Sequence, residues 1–417
     1  MTKLSTKKAS QRSGCGCGSI PLSLILLLLG AGLYGLTQIN RLNLSQWIPE
    51  SVTAVMPEGW QDSDPVAVPT TPALEDVVKI TEPSTPTEGP SAQPAPAPSA
   101  SAPQSPSAID ESGTAVADNT PQTPWQQKAI RGIYLSRYQA TNNADEQTIR
   151  ERVRYYKAQG FNTVIHGVWG NGCTMYPSEV MQQTFGYRSC PNQFKDQWLD
   201  WLIDEAHKQG MEVHAYFEKG IKLDENSPIF NEAIERRWIV PGIDKTYPDV
   251  DHYLLDVEAD DVADFFKSVL AEFVQKYPTV DAVQWDDYLG YHDALPGQVD
   301  RTAQLTDFVR QLKAEMKAAN PEVSFDLCHH NPYWGKRYFA ADWENWAVDR
   351  AFIQIYNDDN FQDELTYAEQ HAGVAITEHQ LHRLDELLNN NQIDSILIFP
   401  ASGQPEGAAA LVKAAIE

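Results

Sequence analysis

The chain has 417 residues and a formal net charge of −25. It is long enough for two or three domains of average size. The charge excludes an ordinary nucleic-acid binder, which needs Lys and Arg to neutralise phosphates; an acidic surface aids solubility and by itself names no substrate.

Residues 1–19 form a short tail that carries Lys3, Lys7, Lys8 and Arg12. The run Ile20–Ile39 has no charge and is almost purely aliphatic from Leu24 to Leu29. It is long enough to cross a hydrocarbon core of roughly 30 Å as a helix. Only Arg41 lies close behind it, so the positive-inside rule places the tail in the cytoplasm and everything after Asn40 outside. A cleaved signal peptide is the competing reading. Its apolar core is usually shorter and ends at an A-x-A-like site. Only Gly30-Ala31-Gly32 stands in that position, and no Cys follows the run to take a lipid.

Residues 40–128 are rich in Pro, Ser, Ala and Thr, as in Gln93-Pro-Ala-Pro-Ala-Pro-Ser99. So few aromatic and aliphatic residues cannot offset chain entropy by burial, which predicts a disordered, semi-stiff tether.

From residue 129 to 417 the texture changes to short β-rich runs alternating with longer amphipathic ones. Eight candidate strands are Ile130–Ser136, Asn162–Val168, Glu212–Phe217, Ala282–Asp286, Val323–Cys328, Ala351–Tyr356, Gly373–Thr377 and Ser395–Phe399. Helices are expected over Glu146–Gln159, Gln197–Lys208, Asp261–Lys276, Thr302–Ala319, Glu378–Asn389 and Gly407–Ile416. In the first of these, Ile149, Val153 and Tyr156 recur at helical spacing before Gly160. Eight strand–helix repeats in this length predict a (β/α)8 TIM barrel. A doubly wound sheet is the alternative, but no Gly-rich phosphate loop follows the first strand.

In such a barrel the chemistry sits at the C-terminal strand ends. Those ends carry Ser136-Arg137-Tyr138, His166 with Trp169, His214-Ala-Tyr216-Phe-Glu218, Gln284-Trp285-Asp286-Asp287, Asp326-Leu-Cys-His329-His330-Asn331, Gln354-Ile-Tyr356, Glu378 and Ser402. Carboxyl groups among aromatics suit glycoside hydrolysis. One carboxyl protonates the leaving oxygen while another attacks the sugar or activates water, and aromatic faces stack on sugar rings. Asp286 is read as the key nucleophile or base with Asp287 beside it, and Glu218 as the general acid, with Glu378 and Asp326 in reserve. Substrate contacts are expected from Trp169, Trp285, His166, His214, Tyr216, His329, Asn331, Gln354, Tyr356 and Glu378. Trp334 is a further stacking candidate, and Trp343 with Trp346 reads as core. No cofactor or metal is expected, because adjacent histidines on a strand point to opposite faces. Cys173 and Cys190 share one insertion after the second strand and are expected to form a disulfide in an oxidising compartment. The stapled insertion would wall the substrate groove, bringing Trp169 and Tyr176 near the sugar.

These segments together resemble the glycosyl-hydrolase-like family 10 of bacterial barrel proteins. The landmarks run in order through Ile130-Arg-Gly-Ile-Tyr-Leu, Gly160-Phe-Asn-Thr-Val, Val168-Trp169, Tyr176-Pro-Ser, Glu212-Val-His-Ala-Tyr-Phe-Glu218, Val280-Asp-Ala-Val-Gln-Trp-Asp-Asp287, Asp342-Trp343 and Phe352-Ile-Gln-Ile-Tyr356. The resemblance implies a TIM-like barrel with glycosidase activity toward envelope or extracellular glycans. It puts Asp286 at the family's main carboxylate position and Glu218 at its acidic third-strand position. Tyr356-Asn357 and Cys328-His-His-Asn-Pro depart from the family's pattern. The reading is therefore a membrane-tethered periplasmic or extracellular glycoside hydrolase whose partners are a glycan and the membrane. Its rivals are an inactive glycan-binding scaffold and a metal-dependent deacetylase built on His329, His330 and Asp326.

Overall fold

The computed structural model describes residues 122–135, 141–142, 144–191, 194–246, 250–292, 295–297 and 299–417. The run Ile20–Ile39, nearly all of the linker and Ser136-Arg137-Tyr138 lie outside the described residues. Among those described, no helix is long and apolar enough to cross a membrane.

Eight parallel strands follow one another around a closed barrel: β1 (Ile130–Leu135), β2 (Thr163–Gly170), β3 (Glu212–Phe217), β4 (Ala282–Trp285), β5 (Ser324–His329), β6 (Arg350–Gln354), β7 (Gly373–Thr377) and β8 (Ser395–Phe399). β1 closes the ring by pairing with both β2 and β8, with Ile133 opposite Val164 and Gly132 opposite Leu397. Each strand leads to a helix: α1 (Glu146–Ala158), α2 (Trp198–Lys208), α3 (Asp260–Lys276), α4 (Thr302–Ala319), α5 (Pro332–Phe339), α6 (Phe361–Ala368), α7 (Leu384–Asn389) and α8 (Pro405–Ile416). This is the (β/α)8 arrangement expected from the repeat pattern.

Local chemistry sets the boundaries. Asp145 caps α1 by accepting from the Thr148 amide, and Ile149, Val153 and Tyr156 form its buried face. The helix expected over Glu378–Asn389 is split. Thr377 and Gln380 form a reciprocal capping box that winds Glu378–Arg383 into a 3-10 turn before α7. α5, absent from the sequence expectation, starts at Pro332 behind its cap Asn331.

Two apolar layers follow from strand alternation. The large one lies between sheet and helices; the small one fills the barrel with Ile130, Tyr134, Ile165, Cys328, Phe352, Ala375 and Leu397. Below the small cluster the interior is ionic. Arg350 donates to both Asp326 oxygens at 3.0 and 2.9 Å, and His214 Nε2 lies 3.0 Å from Glu212. Burial alone would raise Glu212, but His214 and Arg350 outweigh it and hold that carboxyl at about 2.

The insertion after β2 is joined by a Cys173–Cys190 disulfide with Cα atoms 5.3 Å apart. Within it Tyr176 packs on α3, donating to the Val269 carbonyl with its ring against Phe273, whereas Met175 Sδ lies 3.6 Å from where a Cβ on Gly167 would stand. The groove wall expected of Tyr176 is therefore not formed.

A bond across this separation of 17 residues restricts the unfolded chain by about 3 kcal/mol. Cys173→Ser with Cys190→Ser is expected to lower the unfolding free energy by that order in denaturant titration. An unchanged midpoint would mean that the bond adds nothing to stability.

Candidate active site

Inward-facing positions alternate along each strand, so the barrel's upper interior is assembled from Tyr134, Gly167, Tyr216, Gln284, Asp286, Cys328, Gln354 and Tyr356. Asp286 and Asp287 leave the end of β4 nearly fully buried. The Tyr216 hydroxyl and the Tyr288 amide donate to opposite oxygens of Asp286, the amide at 2.9 Å. Gln354 Nε2 donates to Asp287 at 3.2 Å and to the Cys328 carbonyl at 3.1 Å, fixing the second carboxyl against β5 and β6. Burial first, then the charge of Asp287, pushes Asp286 well above the usual carboxylate range, against the pull of its two donors.

Glu218 stands part-exposed at the end of β3. It lies near Tyr216, whose hydroxyl donates to Asp286, so the two carboxyls flank one tyrosine. Gly167 makes room for the glutamate: a Cβ there would lie 2.8 Å from Glu218 Oε2. Around these groups Tyr134 meets Tyr216 edge-on at 5.4 Å, and Tyr356 stacks on Phe399 at 5.7 Å. Tyr216 and Tyr356 are both part-exposed and offer aromatic surface to a ligand. Burial drives the hydroxyls of Tyr134, Tyr216 and Tyr356 well above their ordinary range and the Cys328 thiol up to about 12, so all four stay protonated.

Several residues named from the sequence lie elsewhere. Trp169 is fully buried, donates to the Gly220 carbonyl and packs on Phe217, Phe265 and Phe266. The cause is a bulge between Gly167 and Trp169 that turns the tryptophan to the helix side. Trp285 sits between the inward Gln284 and Asp286, so it faces outward onto Phe217, Phe266 and Phe325. His166 also faces outward, against Trp198 of α2, and bonds Thr141. His214 points inward but too deep, into the ionic layer with Arg350 and Glu212. Asn331 is a structural strut: it caps α5 and donates to Glu364 of α6. The Glu378 carboxyl accepts the Ala401 and Ser402 amides at 2.7 Å, tying the ends of β7 and β8 together. It is not available as a reserve acid. Trp334 is part-exposed against Tyr338, while Trp343 and Trp346 are core.

His329 is buried against Phe339, and burial lowers it to about 3. His330 is the part-exposed one, within the field of Asp287. Asp326 is locked to Arg350 below. The three residues of the deacetylase reading therefore do not converge, and among the described residues no group of three or more His, Cys, Asp or Glu could hold a metal ion.

Gly167, Tyr134 and Cys328 join the site without having been expected there from sequence. Tyr134 and Cys328 were within reach of the two-residue period; Gly167 carried no chemical signal of its own.

Residues 129–300, which include both acidic strand ends, match the family described as Glycosyl hydrolase-like 10. The chain is similar to Glycosyl hydrolase DigH of Escherichia coli O6:H1 (strain CFT073), at 25% identity over 267 residues, 54% of this chain and 59% of that protein. It is similar to the protein of the same name from Escherichia coli strain K12 at 27% over 184 residues, 40% of this chain and 39% of that one. The matches thus span less than two thirds of these relatives' length. Among solved structures, an alpha-amylase from Lactobacillus plantarum superposes with a TM-score of 0.45 at 12% identity over 67% of this chain and 72% of that one, too loosely to bear on substrate.

Gly167→Ala is expected to displace the Glu218 carboxyl and slow any turnover that uses it by about a hundredfold, as a misplacement near 1 Å does. The circular dichroism spectrum should not change. Full turnover by this variant would show that Glu218 need not lie against β2.

Proposed function

We propose that this chain hydrolyses glycosidic bonds in a cell-envelope glycan, either peptidoglycan glycan strands or an exopolysaccharide, with the chemistry of the family matched by residues 129–300. The observation that carries the reading is the buried Asp286–Asp287 pair at the end of β4, with Glu218 beside it from β3. Two neighbouring carboxyls held away from water oppose one another's ionisation, which favours one retained proton on the pair. That proton belongs with Asp286, which gives it to the leaving oxygen as general acid. Glu218, nearer solvent, supplies the carboxylate that attacks the sugar or activates water. These roles reverse those expected from sequence, because burial favours the neutral acid at Asp286. Gln354 and Tyr216 orient the pair, and Tyr216 and Tyr356 supply aromatic surface for a sugar ring.

The same proposal places the barrel outside a cytoplasmic membrane, tethered by the run Ile20–Ile39. The basic residues before that run support the orientation, and the Cys173–Cys190 bond supports an oxidising compartment.

Release of reducing ends from peptidoglycan stripped of stem peptides, and from a panel of exopolysaccharides, tests the reading. Binding without release would leave a glycan-binding scaffold. For the roles, Asp286→Asn is expected to lose at least about a hundredfold on glycosides with poor leaving groups and to keep most of its rate on activated aryl glycosides. Glu218→Gln is expected to lose rate on both. The opposite pattern would return the acid role to Glu218.

A further inference from the structure

Lys222 is fully buried in the short strand Lys222–Leu223, which follows β3 and pairs antiparallel with Tyr253–Leu254; it lies four residues beyond Glu218, with its Nζ 2.8 Å from the equally buried Asp244. A fully buried lysine is rare, and a buried ion pair is often no more stabilising than apolar residues of the same volume. Its surroundings are specific. Gly220 lies so close to the Tyr288 carbonyl that a Cβ would be 2.5 Å from that oxygen, and Ile221 N donates to the same carbonyl. Lys222 Nζ sits 4.8 Å from the centre of the Tyr288 ring, and the Tyr288 amide holds Asp286. The lysine is thus packed against the turn that carries both aspartates. Its charge reaches Asp286, His329 and His330, and with burial it helps hold His252 down at about 4.

Among the described residues, the other groups that face the pair are Tyr134 from β1, Tyr216 and Glu218 from β3, Cys328, His329 and His330 from the end of β5, and Gln354 and Tyr356 from β6. The tyrosines and the thiol are kept neutral by burial, and burial pushes His329 and His330 toward their neutral forms. Among the described residues, the positive charge that acts on Asp286 comes from Lys222, whose Nζ is paired with Asp244 at 2.8 Å.

We propose that Lys222 is a positioning residue that sets the proton count of the Asp286–Asp287 pair, with Asp244 setting how much of its charge the pair feels. Removing the cation favours protonation of both carboxyls, and removing Asp244 favours their ionisation. The two deletions therefore act in opposite directions, which a purely structural role does not predict. The proposal rests on the reading of Asp286 and Asp287 as the acid pair.

The test is the pH profile of kcat/KM for the full chain, together with carboxyl titration of the same proteins labelled with [13Cγ]aspartate. Lys222→Met is expected to move both the profile and the Asp286 titration up by about one pH unit, and Asp244→Asn to move them down. Lys222→Arg should stay near wild type. If Lys222→Met fails to fold, Lys222→Met with Asp244→Asn removes the pair together and should still move both readouts up, by less. Shifts in the same direction for the two single variants, or no shift in folded proteins, would overturn the proposal. Carboxyl shifts without any glycan turnover would sustain it while removing the hydrolase reading; turnover without shifts would do the reverse.

Discussion

Asp286 and Asp287 leave one strand end together, nearly closed off from water, and like charges so placed oppose one another's ionisation. Much of the upper barrel answers that constraint. Tyr216 and the Tyr288 amide donate to one carboxyl, and Gln354 bridges from β6 to the other. Buried hydroxyls of Tyr134 and Tyr356, with the Cys328 thiol, fill the space beneath without adding charge. A site held this way favours the neutral form of Asp286. That is what hydrolysis of a sugar acetal asks of its acid.

The rest of the barrel separates this tension from a second ionic layer. The apolar belt of Ile130, Ile165, Phe352 and Leu397 stands between the aspartate pair and the network of Arg350, Asp326, Glu212 and His214. The lower network is self-contained: Glu212 is drawn down by its partners, whereas Asp286 is driven up by burial and its neighbour. Carboxyls of similar chemistry thus serve opposite purposes at the two ends of one barrel. Conservation of frame at the bottom and chemistry at the top is the division this fold favours.

The barrel was legible because each strand is a short apolar run bounded by helical periodicity, and closure needs little more than eight such repeats. The carboxyls were legible too, since acidic residues directly after apolar strands stand out. Which neighbours join them was harder. Trp285 and His329 were named as contacts, yet alternation from Asp286 and Cys328 puts both on the helix side, a rule available from the sequence alone. Trp169 was not recoverable that way, because the bulge after Gly167 reverses its facing. His214 obeys the rule but sits at the wrong depth, which depends on barrel stagger rather than on local pattern. Asn331 and Glu378 look like ligand-binding groups and are used by backbone amides instead. Lys222 lies between Ile221 and Leu223 with nothing local to separate it from a surface lysine.

Burial and Asp287 together favour a proton on Asp286 in the native fold that the unfolded chain releases more readily. With the folded carboxyl raised above its unfolded value, the native state binds more protons, so stability falls as pH climbs from about 4 toward the raised value. The penalty is absent below that window and full above it. Asparagine is neutral at every pH and escapes it. The direct measurement is the unfolding free energy of wild type and Asp286→Asn across the range from acid to mildly alkaline pH. The variant is expected to gain stability relative to wild type as pH rises, and the difference to level off at a constant value below about pH 4. A difference that does not vary with pH, or a variant that loses ground as pH rises, would contradict that expectation.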